Sequence, residues 1–335
     1  MDILNALAAF LNFVFIPAAA YGAQLALGAL GVTLIYAILR FSNFAHGDTM
    51  AFGTAITILA TWGLQSLGVS LGPLPTALLA LPVGIAATAL LVLGTDRAVY
   101  RFYRAQKAAP IIFVMASVGV MFVMNGLTRL IIGVDDQRFD DGARFIINVR
   151  DFREWTGLSE GLALRSTQAL TLVVTVIVCA ALFWFLNRTK SGKAMRAYSD
   201  NEDLALLSGI DPERVVRLTW IIAAALMTVA GVLYGLDKSF RPFNYFQILL
   251  PIFAAAIVGG LGNPIGAIAG GFLVAFSEVA VTYPWVKVAG YLFPDWQPGG
   301  LLQLLGTEYK FAVSFVILIV VLLFRPTGLF RGKSA

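Results

Sequence analysis

The chain has 335 residues, of which 59% are hydrophobic and 13% charged, with a formal net charge of +5 and a mean hydropathy of +0.82. One soluble core cannot hide that much apolar surface, so the composition excludes a soluble globular protein. The basic residues lie between apolar runs, which favours a membrane protein and gives no reason to expect a nucleic acid partner.

Apolar runs long enough to cross a bilayer recur along the sequence. A spanning helix needs about 20 largely apolar residues, because the hydrocarbon layer is roughly 30 Å thick and a helix rises about 1.5 Å per residue. The segments that meet this requirement are 20–39, 47–66, 75–95, 110–132, 168–187, 216–236, 247–262, 264–283 and 310–325. The sequence therefore predicts an all-α polytopic membrane protein with about 8–10 membrane-embedded helices, in a single transmembrane domain over residues 1–335.

Two segments leave alternatives open. Residues 1–16 form a further apolar segment that lies along the interface or partly inserts. We do not expect it to be a signal peptide, because no Lys or Arg precedes its apolar core. Residues 247–262 are short and contain Pro251, so they form either a full crossing or a tilted, broken or re-entrant helix.

The basic residues predict which loops face the cytoplasm. Lys and Arg accumulate in residues 96–109, in residues 188–217 and in the tail after Phe324, and cytoplasmic loops carry such an excess. Nine alternating crossings put all three on one side, with the N-terminus outside and the C-terminus inside. Loop 133–167 is then periplasmic, where four aspartates offset its five arginines: Asp135, Asp136, Asp140 and Asp141. If 247–262 were re-entrant, the tail would be outside unless the N-terminal segment supplied the missing crossing.

The sequence SNFAHGD at 42–48 connects the first two predicted spans and contains the only histidine, His46. As a tight turn, it would use Asn43 to bond the end of the first helix, Gly47 to bend the chain and Asp48 to cap the second helix. The alternative makes His46 and Asp48 part of a cytoplasmic gate or coupling contact. A lone histidine does not form a metal site, and we expect neither a metal nor a cofactor.

Three polar side chains lie within predicted spans. Gln24 and Asn125 either line a pathway or form hydrogen bonds between helices, since both satisfy a buried amide. An ionised Glu278 at a helix centre costs roughly 2.5–3.5 kcal/mol on insertion scales, so it is expected to pair with a polar group or to face an aqueous cavity.

Residues 188–217 are far longer than a turn requires. Apolar residues recur among the charges in an approximately helical rhythm. Ser191 and Gly192 are suited to start a first helix. A residue at 199–201 is suited to cap a second helix that Gly209 ends, and Asp211 with Pro212 to open the next span. Acids nearly balance bases, which favours docking to a protein over docking to a lipid surface; a solvated connector remains the plain alternative.

Glycines recur every fourth residue in GGLGNPIGAIAGG, at Gly262, Gly266 and Gly270. Such a stripe predicts close helix packing, which supplies van der Waals contact inside lipid. Asn263 and Pro264 interrupt the helix, and a break of this kind is tolerated beside protein or a water-filled path. Packing and a place near the translocation route explain the stripe equally well.

Four blocks of sequence resemble the LivH-type permease subunit of branched-chain amino acid ABC transporters. They are ALGALGVTLIYAILRFSNFAHGD at 26–48, SGKAMRAYSDNEDLALLSGIDPERV at 191–215, FAAAIVGGLGNPIGAIAGG at 253–271 and TEYKFAVSFVILIVVLLFRPTGLF at 307–330. The resemblance implies that residues 188–215 are a cytoplasmic coupling region seated in a cleft of an ATPase. The positions carried over to that role are Gly192, Ala197, Glu202, Leu206 and Gly209.

The resemblance also implies an assembly in the inner membrane. The chain would form a heterodimer with a homologous permease subunit, and this pair would bind two cytoplasmic ABC ATPase subunits and a periplasmic solute-binding protein. The cargo would be a branched-chain amino acid, or urea or another short amide. The chain is not expected to be an enzyme, because its Gly-Lys pair at 192–193 lacks the rest of a phosphate loop. An ion-coupled secondary transporter, which would work alone, and a membrane-embedded enzyme are the rival classes.

Overall fold

We describe the fold from a computed structural model that covers residues 2–139, 142–293, 296, 300 and 302–330. Four charged residues used in the orientation argument, Asp140, Asp141, Arg331 and Lys333, lie outside this part of the chain. The described residues are mostly helical, and their strands form one small antiparallel pair, β1 (Phe145–Ile147) and β2 (Leu164–Arg165). The all-α prediction is confirmed.

The N-terminal half consists of long helices. The first begins near the N-terminus as α1 (Asp2–Phe10), passes through a π-helical turn (Leu11–Phe15) and continues as α2 (Ile16–Leu39). The next three are α3 (His46–Ser66), α4 (Ala77–Thr95) and α6 (Pro110–Ile132). Between them, a second π-helical turn (Asp96–Tyr100) and α5 (Arg101–Ala105) extend α4. The loop predicted at 96–109 is therefore mostly helix.

The C-terminal half alternates short and long helices. After the short α7 (Val149–Thr156) come α8 (Ser166–Arg188), α9 (Lys190–Asp200), α10 (Glu202–Leu207) and α11 (Pro212–Lys238). The last four are α12 (Pro242–Gly259), α13 (Pro264–Thr282), α14 (Val286–Leu292) and α15 (Lys310–Phe324). Helix α12 runs unbroken through Pro251, so the broken alternative for 247–262 is wrong.

Helix α2 lies at the centre of the bundle, and almost all of its residues are buried. Small residues allow α13 to approach it closely: a Cβ on Gly271 would lie 2.7 Å from the Cα of Ala26, and one on Gly22 would lie 3.1 Å from the Cα of Phe272. Such contacts supply the van der Waals attraction that holds helices together where lipid removes the hydrophobic driving force.

Contacts between distant segments define two ends of the bundle. At one end, which we call the loop end, Asn5 accepts from the backbone N–H of Glu160 at 3.1 Å, and Gln137 forms a β-bridge with Phe240. The start of α1, the connection 133–165 and the end of α11 therefore lie together. The predicted placement of the N-terminus on the same side as loop 133–167 agrees with this geometry.

At the opposite end, the coupling end, α9 meets the last residues of α2, and the segment after α15 meets the end of α12. Arg40 donates to the backbone oxygen of Ser199 at 2.7 Å, and the backbone N–H of Leu329 donates to Val258 at 2.8 Å. The long helices run between the two ends as alternating crossings require.

Eight helices within the described residues are long and apolar enough to cross a membrane. Helix α3 is not among them, although its 21 residues make it about 31 Å long and the sequence predicted a span at 47–66. It carries four threonines that are buried and bond to backbone oxygens one turn earlier: Thr49, Thr54, Thr57 and Thr61. The protein core, and not lipid, surrounds that face.

Candidate coupling and translocation sites

Local capping shapes the coupling region. Thr189 caps α9 by accepting from the N–H of Gly192 at 3.0 Å, so that the helix begins at Lys190, one residue before the predicted start. Asn201 caps α10 through the N–H of Leu204 at 3.0 Å. Gly209, with φ of +79°, follows its end. Asp211 caps α11 as predicted, by accepting from the N–H of Glu213 at 2.9 Å. The sequence predicts one or two short helices here, and the structure has two.

The five positions carried over from the family differ in their surroundings. Ala197, Glu202, Leu206 and Gly209 are exposed, whereas Gly192 is buried and its missing side chain admits the backbone of α8. A Cβ there would overlap the carbonyl oxygen of Phe185. The small size of Gly192 therefore serves the junction of α8 and α9. Its role in coupling to a partner stays a prediction.

Glu202 has an internal partner. It accepts a hydrogen bond from the Tyr198 hydroxyl at 2.6 Å, which joins the end of α9 to the start of α10. Burial and this bond to a carboxylate raise the pKa of Tyr198, so the phenol keeps its proton. The two helices thus form one unit.

Leucines on α10 form the apolar surface of this unit. Leu204, Leu206 and Leu207 are 61%, 43% and 84% exposed. Only Ala205 of this helix is buried. The helical rhythm in the sequence includes Leu204 and Leu207, but their outward orientation follows only from the packed position of Ala205.

A charged cluster lies beside the coupling region and was not recognised in the sequence. Arg104 donates to both oxygens of Asp96 at 2.9 and 3.1 Å, and the Trp220 indole N–H donates to the same carboxylate at 2.8 Å. Arg104 also reaches Glu213 at 3.4 Å. This cluster, which we call the inner cluster, ties α4 and α5 to α11. The sequence indicated only a basic loop here.

The connection at 42–48 is a turn, but its side chains do not act as predicted. Asn43 accepts from the N–H of Ala45 at 3.1 Å and does not bond the end of α2. Gly47 lies inside α3, where a Cβ would come within 2.6 Å of the carbonyl oxygen of Tyr245, so close packing and not a bend requires it.

Asp48 and His46 are buried. Asp48 does not cap α3, because it lies in the first turn and Ala45 occupies the N-cap position; its carboxylate accepts from the Asn125 amide of α6 at 2.6 Å. His46 packs against Gly31 of α2, where a Cβ would lie 2.7 Å from its ring.

The amides predicted to line a pathway or to join helices do join helices. Gln24 of α2 donates to the backbone oxygen of Leu233 on α11 at 3.4 Å, and Asn125 bonds Asp48 as described. These contacts tie α2 to α11 and α3 to α6.

The glycine stripe is shorter than predicted, because Gly262 precedes α13 and has a φ of +83°. Gly266 and Gly270 face α12, where Cβ atoms would overlap the carbonyl oxygens of Gly259 and Ala255. Asn263 caps α13 through the N–H groups of Ile265 and Gly266, at 3.1 and 3.2 Å. Close packing of α12 on α13 accounts for these residues.

Glu278 is fully buried and has polar partners, as expected. It accepts from the Ser314 hydroxyl and meets the Lys310 ammonium at 3.5 Å. Lys310 also lies 3.7 Å from the centroid of the Tyr21 ring. These groups, the outer cluster, join α2, α13 and α15 toward the loop end.

The chain matches the model of the family described as "Branched-chain amino acid transport system / permease component" over residues 15–322. It is 30% identical to the high-affinity branched-chain amino acid transport system permease protein LivH of Escherichia coli K12, over 92% of this chain and 91% of that protein. It is also 30% identical to BraD of Pseudomonas aeruginosa, over 92% of both. A weaker match, 28% over 42% of this chain, is to LivM of Escherichia coli K12.

Proposed function

The chain belongs to the family of branched-chain amino acid transport permease components, and from this membership we propose that it is the membrane-spanning subunit of an ATP-driven importer of branched-chain amino acids. It is not an enzyme; ATP is hydrolysed on a separate subunit. As a multi-pass protein of the inner membrane, it supplies the path, and the coupling region passes the motion of the ATPase to that path.

The coupling end faces the cytoplasm in this proposal, with the N-terminus and the connection 133–165 in the periplasm. Support comes from the basic residues at the coupling end, among them Arg97, Arg101 and Arg217, since short cytoplasmic loops carry an excess of Lys and Arg.

The exposed leucines of α10 are the observation that carries the coupling assignment. Leu204 and Leu207 are side chains of a capped helix outside the spanning segments, and no other described element covers them. An apolar helix face of this kind fits a groove on a soluble partner. The acids Glu202 and Asp203 in the first turn fix the approach of the partner electrostatically.

Substitution of the leucines tests this interface. In the double variant Leu204→Glu and Leu207→Glu, we expect normal insertion, loss of the ATPase subunits from the purified complex and loss of ATP-dependent uptake. Leu67→Glu is the matched control, since Leu67 is 79% exposed but lies at the loop end. Retention of the ATPase by the double variant would refute the assignment.

Reconstitution tests the function itself. Proteoliposomes that contain the purified complex with its solute-binding protein should accumulate labelled leucine, isoleucine or valine only when ATP is supplied on the ATPase side. Uptake by this polypeptide alone would identify a secondary transporter. ATP-dependent uptake of labelled urea, and not of leucine, would identify the alternative cargo.

The permease partner is proposed to be a different, homologous chain. The match to LivM covers less than half of this chain, as expected if two diverged permeases form one path. Mass measurement of the intact complex distinguishes this heterodimer from two copies of the present chain.

A further inference from the structure

A groove of about 440 Å³ lies between α4 and α11 at the coupling end. Its rim carries three arginines, Arg97, Arg101 and Arg217, and its floor is formed by Leu93 and Gly94. This groove faces the outside of the bundle, beside the inner cluster, and no step of the proposed transport uses it.

The π-helical turn at Asp96–Tyr100 creates the rim. Asp96 and Tyr100 are buried, whereas Arg97 and Arg101 are exposed. The wider turn therefore directs the carboxylate inward to Trp220 and leaves the guanidinium groups outside. Such π-helical turns occur frequently at functional sites.

The acids at the groove are already engaged. Asp96 bonds Arg104 at 2.9 Å and Trp220 at 2.8 Å. Glu213 reaches Arg104 at 3.4 Å and Arg101 at 3.8 Å. No described acid lies within ion-pairing distance of Arg97 or Arg217, and Arg217 uses only its Nε, which donates to the backbone oxygen of Glu213 at 3.2 Å. The outer face of the rim is therefore cationic.

The floor is apolar and continues along the outer faces of α4 and α11, away from the coupling end. A Cβ on Gly94 would have no atom within 4 Å, so the floor is an open notch. One turn farther from the rim, Leu90 is 72% exposed on α4, and Ile221 on α11 is 39% exposed. Both lie in helices that are apolar enough to cross a membrane, so this trough faces acyl chains.

We propose that the groove binds an anionic phospholipid, with the phosphate at Arg97 and Arg217 and an acyl chain along Leu90, Leu93 and Gly94. A cationic rim above an apolar trough matches an amphipathic ligand, whereas a free anion would leave the trough unused. Guanidinium groups present several N–H donors to phosphate oxygens, and basic pockets between membrane helices bind lipid headgroups. The bound lipid would brace α4 against α11 next to the coupling region.

Native mass spectrometry of the delipidated transporter tests the proposal, with phosphatidylglycerol and phosphatidylcholine as probes. We expect Arg97→Gln and Arg217→Gln each to weaken phosphatidylglycerol binding about fivefold and to leave the weaker phosphatidylcholine binding unchanged. The matched control removes two charges elsewhere at the same end, Arg188→Gln with Lys190→Gln, and should bind as the wild type does. Equal loss in the control would overturn the site, because diffuse charge would then explain the binding.

Two further measurements distinguish a lipid phosphate from free phosphate and test the role of the trough. Excess inorganic phosphate should not displace phosphatidylglycerol; displacement would assign the groove to free phosphate. Gly94→Trp fills the notch without a change of charge and should also weaken lipid binding. If Arg97→Gln and Arg217→Gln together release the ATPase while lipid binding is unchanged, the groove belongs to the ATPase and the proposal fails. None of these readouts depends on transport.

Discussion

The inner and outer clusters each contain a buried carboxylate within a spanning segment, but they hold it differently. Asp96 receives two parallel bonds from Arg104 and a third from Trp220. Glu278 receives one bond from Ser314 and meets Lys310 at 3.5 Å. A bidentate guanidinium fixes geometry, whereas an ammonium on a four-carbon stem adapts to small movements.

The helices that the two clusters join differ in how deeply they are buried. The inner cluster connects α4 and α5 to α11, which is mostly buried, at the end where α9 and α10 lie. The outer cluster holds α15, of which only Val313 and Ser314 are buried. The comparison indicates a rigid brace beside the coupling region and a more adaptable attachment at the edge of the bundle.

Removal of Arg104 should have the largest effect on stability. Arg104→Met leaves the Asp96 charge buried with Trp220 alone, and the loss of one partner of a buried pair costs about 3–5 kcal/mol. The heat-induced unfolding of the solubilised protein should show this loss. Arg101→Met is the control: Arg101 meets Glu213 at 3.8 Å with a side chain 56% exposed, so its removal should cost about 0.5 kcal/mol or less. Similar losses in both variants would contradict the rigid brace.

Lys310→Met should have a smaller effect, of about 1–3 kcal/mol. Lys310 is 28% exposed, so solvent already weakens the pair, and Ser314 still bonds Glu278. The double variant Lys310→Met and Glu278→Leu removes both charges and should regain most of the stability, since apolar replacements of a buried pair are often neutral. The same unfolding assay applies; a double variant no more stable than the single one would show that the charge pair is not the cause.

The parts of the fold that depend on neighbouring residues were predictable. Asn201 and Asp211 cap helices through N–H groups two or three residues away, so the ends of α10 and α11 follow from short stretches of sequence. Apolar length likewise located the long helices.

The parts that depend on distant residues were not predictable. Trp220 bonds Asp96 across 124 positions, and this contact stabilises helix where the charges indicated a loop. Asn125 binds Asp48 from 77 positions away, which removes Asp48 from its expected capping role. The close contact of Gly192 with the backbone of α8 was also not predictable, because nothing in the sequence reveals that α9 folds back against α8.

Arg40 provides a third test, in which stability changes little and transport changes more. It has a φ of +58°, which a non-glycine residue seldom adopts, and its side chain holds the last turn of α9 at Ser199. Arg40→Gly relieves the backbone and removes the bond, so the two changes should offset each other to within about 1 kcal/mol. Because the link between α9 and α2 is lost, leucine uptake per ATP hydrolysed should fall.

Lys107→Gly is the matched control for Arg40→Gly. Lys107 also has a positive φ, +50°, and lies at the coupling end, but it makes no bond to α9. Its replacement should leave the ratio of uptake to hydrolysis at the wild-type value. An unchanged ratio in Arg40→Gly would show that the contact with Ser199 does not transmit motion.

The smallest effect is expected at the loop end, where a fall in pH should weaken the contact of α1 and α14 with the connection 133–165. Burial would raise the pKa of Glu160, but hydrogen bonds from Lys287 and Tyr291 outweigh it and the pKa lies below its ordinary value of 4.5. A carboxylate with a lowered pKa stabilises the fold fully above its unfolded pKa, and this contribution is lost as the pH falls through the folded pKa.

Because Lys287 is 47% exposed, the contribution should be about 1 kcal/mol or less. Thermal unfolding of wild type and Glu160→Gln from pH 7 down to pH 3 measures it. The two proteins should differ at neutral pH, and the difference should shrink only below pH 4.5, in the window set by the direction of the shift. A difference that stays constant over that range would mean that the charge of Glu160 does not hold the loop end together. The contact would then depend on packing and on the Asn5 bond to the Glu160 backbone, which does not titrate.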